Sequence, residues 1–188
     1  MEDIANYIFE AGMLKKVSRS GWWTEGIKNP ETVAEHSHRA AIVGFILAKM
    51  EKMSDEQASR ICSALVFHDV HESRLTDLNK ISERYIENKK ELERKIENEQ
   101  IQNLPNEIRD SVGSLFNLSE KEKQVLQDAD RIELLFQAKE YSETGYPNVA
   151  KWLDNQMKRI KTESAKKLLE QVKKQSFREW TKGLKKLE

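Results

Sequence analysis

Histidine is the scarcest chemistry-bearing residue of this sequence. It occurs four times, as His36, His38, His68 and His71. His36 falls one turn inside a helix that Thr32 and Glu35 would cap as a T-x-x-E box. His68 and Asp69 follow directly on the apolar run Ala64-Leu65-Val66-Phe67, and Asp130 stands inside the apolar stretch Val125–Phe136. An ionisable group on a buried helix face is costly unless it is paired or bound to a metal. Three helices that each carry such a group therefore point to one shared centre. His36, His68, Asp69 and Asp130 make an N2O2 donor set suited to a borderline divalent ion: Mn, Fe, Co, Ni or Zn. A coordination number above four leaves positions for water and substrate. Taken singly, each residue also has a plain reading, as a helix start or a satisfied polar pair; the combination favours the metal. His38 lies about 200° around the helix from His36 and is not expected to share the ion. His71 is expected either in solvent or in contact behind the ligands.

The elements that must hold these residues read as helices throughout. Period-2 alternation of β-branched residues is almost absent, so no strand is expected. A first helix is expected over 2–17, with Ile4, Ile8, Ala11 and Leu14 on its buried stripe. A loop over Ser18–Pro30 carries Trp22 and Trp23. Thr32 starts a helix to about Met53. Ser54 and Gln57 cap a helix over 55–70 whose buried side holds Ala58, Ile61, Cys62, Leu65 and Val66. After an irregular stretch, a charged helix is expected over 82–102 and a short one from Pro105 to Phe116. Ser119 and Glu122 cap the helix that carries Asp130, which stops near Gly145-Tyr146-Pro147. Two more helices, 148–160 and an amphipathic 162–183, close the chain. The fold class is all-α: a compact multi-helix bundle around a central single-metal site. Residues 1–188 are read as one domain, with its core over about 4–160.

Composition narrows the function classes. The 188 residues carry 32 Lys+Arg and 32 Asp+Glu, so no global basic field draws in nucleic acid or an anionic membrane. The Lys-rich tail is read as a solvated helix face. The lone Cys62 excludes an intramolecular disulfide and a cysteine zinc finger. The opening MEDIANYIFE lacks the apolar run of a signal peptide, and no stretch of about 18 apolar residues could span a bilayer. A cytoplasmic setting is expected.

The order Glu35-His36-Ser37, then Leu65-Val66-Phe67-His68-Asp69, then Gln127-Asp128-Ala129-Asp130 resembles the HD-domain metal-dependent phosphohydrolases. Finer features are Arg19-Ser20-Gly21-Trp22, the segment Asn29–His36, and His68-Asp69-Val70-His71-Glu72 with Asp77 five residues on. These look like the small YfbR-like 5′-deoxynucleotidases. The resemblance implies that His36, His68, Asp69 and Asp130 hold the metal and that Glu72 orients the attacking water and manages protons. It further implies that Arg19 binds the substrate phosphate and that Trp22 lies near the sugar. Asp77 would bind the 3′-hydroxyl or help with proton transfer. In the bacterial member Trp follows the Arg directly; here Trp22 is three residues on and Trp23 adjoins it, so either indole could face the sugar. The physical chemistry agrees with these roles. Glu72 would share a face with His68 if the helix continued, and a carboxylate there can relay the proton of an activated water. The planar fork of Arg19 suits a phosphate.

The resemblance also implies a homodimer, and the absence of histidine after His71 argues for one metal per subunit. The expected reaction is hydrolysis of a deoxyribonucleoside 5′-monophosphate to deoxynucleoside and phosphate. The alternatives are hydrolysis of another nucleotide, such as a cyclic nucleotide or an alarmone, and a catalytically idle helical module that binds nucleotide.

Overall fold

The computed structural model describes residues 1–149 and 157–185. Three capping boxes set the starts of the helices that matter most. Thr32, Ser54 and Ser119 each accept a hydrogen bond from the backbone of the residue three positions on. Glu35, Gln57 and Glu122 return the bond to the cap residue's own N–H. Two of the orphan donors at each helix start are thereby satisfied reciprocally. The helices so started are α2 (Val33–Met50), α3 (Asp55–Phe67) and α7 (Glu120–Glu143), with α1 (Glu2–Ala11) before them. Between α3 and α7 lie α4 (Glu72–Leu75), α5 (Lys89–Ile101) and α6 (Asn106–Ser114). The last is α8 (Glu163–Lys174). Among the described residues the only β pairing is an isolated antiparallel bridge between Ser18 and Thr32.

Helix α2 packs on α3 and on α7, and these three make the core. Their buried stripes supply Ala40, Val43 and Leu47 from α2, Ile61 and Leu65 from α3, and Val125, Ala129 and Ile132 from α7. Gly44 allows the close approach of α2 to α3: a Cβ there would fall inside the van der Waals shell of Leu65 Cδ1 and lie 3.1 Å from Ile61 Cγ2. Helix α8 adds Ala165 and Leu169 to the same core.

Several expected boundaries move. Helix α1 ends at Ala11 and continues as a 3-10 turn over Gly12–Lys15, not as one helix to residue 17. Ala11 and Leu14 face the interior as expected, but Ile8 is exposed and Tyr7 packs inward in its place. Val66 on α3 is also exposed. The charged helix expected over 82–102 is broken into a 3-10 turn, Ser82–Tyr85, and α5, because Asn88 takes a left-handed conformation with φ 57°. Asn tolerates that region better than most residues. Helix α8 stops at Lys174, and beyond it Trp180 and Leu184 are exposed instead of docking on an extended helix. The expected helix 148–160 lies largely outside the described residues.

Candidate metal centre and substrate cleft

Each predicted ligand sits at a place its helix makes rigid. His36 is at the fourth position of α2, fully buried. His68 is the residue that ends α3, and Asp69 follows in the turn to α4. Asp130 lies mid-way along α7. The fold brings the four together. His36 Nε2 is 3.1 Å from Asp130 Oδ1 and 3.8 Å from Asp69 Oδ2, and His68 Nε2 is 3.1 Å from Asp69 Oδ2. The two imidazole rings have centroids 5.5 Å apart.

The donor set fits a divalent cation. His36 Nε2 and both ring nitrogens of His68 are buried and make no well-aligned hydrogen bond among the described residues. Unpaired buried nitrogens are costly, and a cation between them and the carboxylates would satisfy them together. Burial pushes the His68 imidazole down, with Asp69 only partly opposing and the charge at His36 adding to the fall, so it presents a neutral lone pair. At His36, burial and Arg19 oppose a positive charge, but Asp130 and Glu133 outweigh them and push the imidazole up to about 10. The surroundings thus favour positive charge at this point. A further group, Asp69, His71 and Glu72, also offers atoms within 4.8 Å of one another.

The remaining predicted residues ring the same place. The α-helix does not continue past His68; the chain turns, and Glu72 opens the short α4. Glu72 is nevertheless buried, with Oε2 unpartnered among the described residues. Burial first, then the charges of Asp69 and Asp77, push its carboxyl up to about 9. Arg19 NH1 donates to Asp77 Oδ1 at 3.1 Å and lies 3.7 Å from Asp69 Oδ2. Thr76, just before Asp77, has φ 62° and ψ 166°. That region is nearly confined to glycine and costs on the order of 1–3 kcal/mol for other residues, so the backbone is strained where it delivers Asp77.

Of the two indoles, Trp22 faces inward and Trp23 outward. Trp22 is 1% exposed and Trp23 54%. The Trp22 N–H donates to Glu31 Oε1 at 3.0 Å, and its ring meets Tyr141 edge-on at 5.1 Å. Trp22, Leu134 and Leu78 form the apolar side of a cleft of about 270 Å³. Arg19, Asp69, Glu72 and Asp130 line its other side. His71 is buried, not in solvent, with Nδ1 3.3 Å from Glu97 Oε1. His38 is exposed.

One pair escaped the sequence reading. Glu133 is fully buried on α7, hydrogen-bonded to His36 Nδ1, and its other oxygen accepts from Arg39 Nε at 2.9 Å. The signal was available. Glu133 stands three residues after Asp130 within Ile132–Leu135, and Arg39 three after His36. A charged residue one turn from each ligand, on two facing apolar helices, marks a buried pair.

The profile of the HD domain family matches residues 11–173. The chain belongs to the HD domain family. Among curated HD-domain relatives, the 5′-deoxynucleotidase HDDC2 of Dictyostelium discoideum is 28% identical over 149 residues, which is 75% of this chain and 78% of that protein. A solved structure of a coding region from Archaeoglobus fulgidus is 31% identical, with a TM-score of 0.64 over 96% of this chain and 99% of that one. The cyanophage S-2L HD phosphohydrolase, bound to dA and one catalytic Zn2+ ion, shares the fold at 16% identity, with a TM-score of 0.60 over 89% of this chain and 96% of that one.

Proposed function

We propose that this HD-domain chain is a metal-dependent 5′-deoxynucleotidase, releasing phosphate from deoxyribonucleoside 5′-monophosphates. The observation that carries the reading is the cluster of His36, His68 and Asp130, with Asp69 close to both imidazoles, behind a small cleft lined by Asp69 and Asp130 together with a buried unpartnered carboxyl and a phosphate-matched guanidinium. The HDDC2 relatives support the substrate class. The cleft is at the small end of ligand pockets, which run from about 300 Å³ upward; that suits one mononucleotide.

The ligands would be His36, His68, Asp69 and Asp130, holding one divalent ion. Such an ion supplies Lewis acidity, the means of making water a nucleophile at neutral pH and of polarising phosphoryl oxygens. The protein's own groups do the rest. Arg19 meets the non-bridging phosphoryl oxygens and neutralises charge as the transition state forms. With the charge of the bound ion beside it drawing its carboxyl down into the ionised form, Glu72 would orient the attacking water and take its proton, then return one to the leaving 5′-oxygen. Asp77 holds Arg19 in place and is within reach of the sugar. Trp22 forms the wall against which deoxyribose packs, its plane fixed by Glu31 and Tyr141.

The reading extends to a cytoplasmic homodimer of single-domain subunits. No helix among the described residues is long and apolar enough to cross a membrane. Ile42, Phe45, Ile46 and Met50 leave an exposed apolar stripe along α2 that supports pairing with a second copy. Sedimentation as a monomer at micromolar concentration would remove the dimer. The reaction itself is tested by stripping the protein with chelator and measuring phosphate release from dAMP and AMP with Mn, Co, Mg or no metal. Metal-dependent release favouring dAMP is expected. Silence on a wide nucleotide panel with every metal would leave only a binding module.

A further inference from the structure

We infer that Glu133, clamped by Arg39, is the positioning residue of the metal centre: it fixes the tautomer and rotation of His36 so that Nε2 faces the ion. The inference rests on the metal-centre reading above and concerns how that centre is built.

The geometry is specific. Both carboxylate oxygens of Glu133 are used, Oε2 by His36 Nδ1 and Oε1 by Arg39, whose Nε lies at 2.9 Å and NH2 at 2.8 Å. Arg39 spends its remaining donors along the same face of α7, NH2 to Gln137 Oε1 at 2.7 Å and NH1 to Glu140 Oε1 at 2.6 Å. Glu133 is 0% exposed, and the Arg39 side chain 28%. The guanidinium therefore reaches in from the rim and is held by three acceptors on successive turns. His36 and Arg39 are one turn apart on α2, and Asp130 and Glu133 are one turn apart on α7. The two facing helices thus present a ligand pair on the cleft side and a supporting pair behind it.

A buried ion pair is commonly matched in stability by apolar side chains of similar volume, such as the fully buried Ile132 and Leu135 beside it. What a carboxylate at this point does, and a leucine cannot, is accept the Nδ1 proton. An imidazole whose Nδ1–H is so engaged must offer its lone pair at Nε2, and its ring cannot rotate about χ2 without breaking the bond. Arg39 gives the buried Glu133 carboxylate a charge partner on the oxygen that His36 does not use.

The test uses Mn or Zn alone, titrated calorimetrically into chelator-stripped wild type, Glu133→Gln and Arg39→Gln, beside the thermal midpoint of each metal-free protein. Loss of an outer-shell partner of this kind typically lowers metal affinity about 10–100-fold. That loss is expected in Glu133→Gln, and a smaller one in Arg39→Gln, with KM for dAMP at saturating metal unchanged. Affinity within twofold of wild type in both variants overturns the inference, even if the midpoint falls, since that is a structural role only. Should Glu133→Gln fail to fold, long-range proton–nitrogen correlation on zinc-loaded wild type decides independently. A hydrogen-bonded His36 Nδ1–H with Nε2 on the ion is expected; a proton on Nε2 contradicts it. Metal affinity is read without substrate, so failure of dAMP turnover would sink the proposed reaction and leave this result standing.

Discussion

Asp77 clamps the Arg19–Ser20 segment through both of its carboxylate oxygens and its own backbone. Oδ1 accepts from the guanidinium at 3.1 Å, Oδ2 accepts from the Ser20 backbone N–H at 2.6 Å, and the Asp77 carbonyl accepts from Ser20 Oγ at 2.7 Å. A loop 57 residues away in sequence is thereby pinned to the rim of the cleft, and the strain at Thr76 is the local cost of presenting the clamp. Removing it should be felt in binding. A hydrogen bond to a charged group contributes about 1.5–3 kcal/mol, so Asp77→Ala is expected to raise KM for dAMP at least roughly tenfold. Steady-state kinetics with KM unchanged would show that Arg19 is positioned by something else.

Glu72 separates turnover from metal binding. Glu72→Gln keeps the shape and removes the base, so kcat should fall by about 10²–10⁴. Calorimetric Mn affinity should stay within a few-fold of wild type. Unchanged kcat would remove Glu72 from the chemistry.

The core can be tested apart from the site. Gly44→Val puts two methyl groups where Leu65 and Ile61 already sit. Overpacking of this kind costs about 1–3 kcal/mol, which in a chain of this size lowers Tm by about 2–4 °C per kcal/mol. A scan showing no fall would mean that α2 and α3 do not approach as described.

Much of this architecture was legible because its signals are local. Thr32/Glu35, Ser54/Gln57 and Ser119/Glu122 are complete capping boxes within four residues, and each starts a helix where its spacing puts it. The ends were harder. Nothing within α1 announces that Gly12 tightens the helix into a 3-10 turn, and the left-handed Asn88 looks in sequence like any polar residue of a charged helix. Periodicity misplaced Ile8 and Val66, because an apolar residue at the edge of a stripe can face either way and only packing decides. At the site, the convergence of His36, His68, Asp69 and Asp130 followed from rare ionisable residues in apolar helices. The same rule applied to Glu133 and Arg39 would have found them too. The choice between Trp22 and Trp23 was not local: it depends on Glu31 and Tyr141, the latter 119 residues from Trp22.

Helices α1, α4 and α5 are tied by Glu10, which accepts from Arg74 Nε at 2.5 Å, from Gln100 Nε2 at 2.7 Å and from Ser73 Oγ at 3.3 Å. The hydrogen bond from Arg74 is the main cause holding Glu10 below its ordinary value of 4.5, with burial opposing. A carboxylate depressed in the folded state stabilises fully above its unfolded pKa, and that stability is lost as pH falls through the lower folded value. Arg74 is 39% exposed, so screening limits the effect to about 1 kcal/mol. The Tm difference between wild type and Glu10→Gln should therefore be greatest near neutrality and shrink as pH drops below 4.5. A difference that grows toward low pH would reverse the sign of this linkage.

The central claim is that the four-donor centre drives phosphate release. Wild type and Asp69→Ala, both stripped of metal, should be assayed on dAMP while Mn is added back. The account predicts that wild type recovers phosphate release with rising Mn and that Asp69→Ala neither binds the ion with comparable affinity nor recovers activity. Equal recovery by both proteins, or release by stripped wild type with no metal at all, would contradict it.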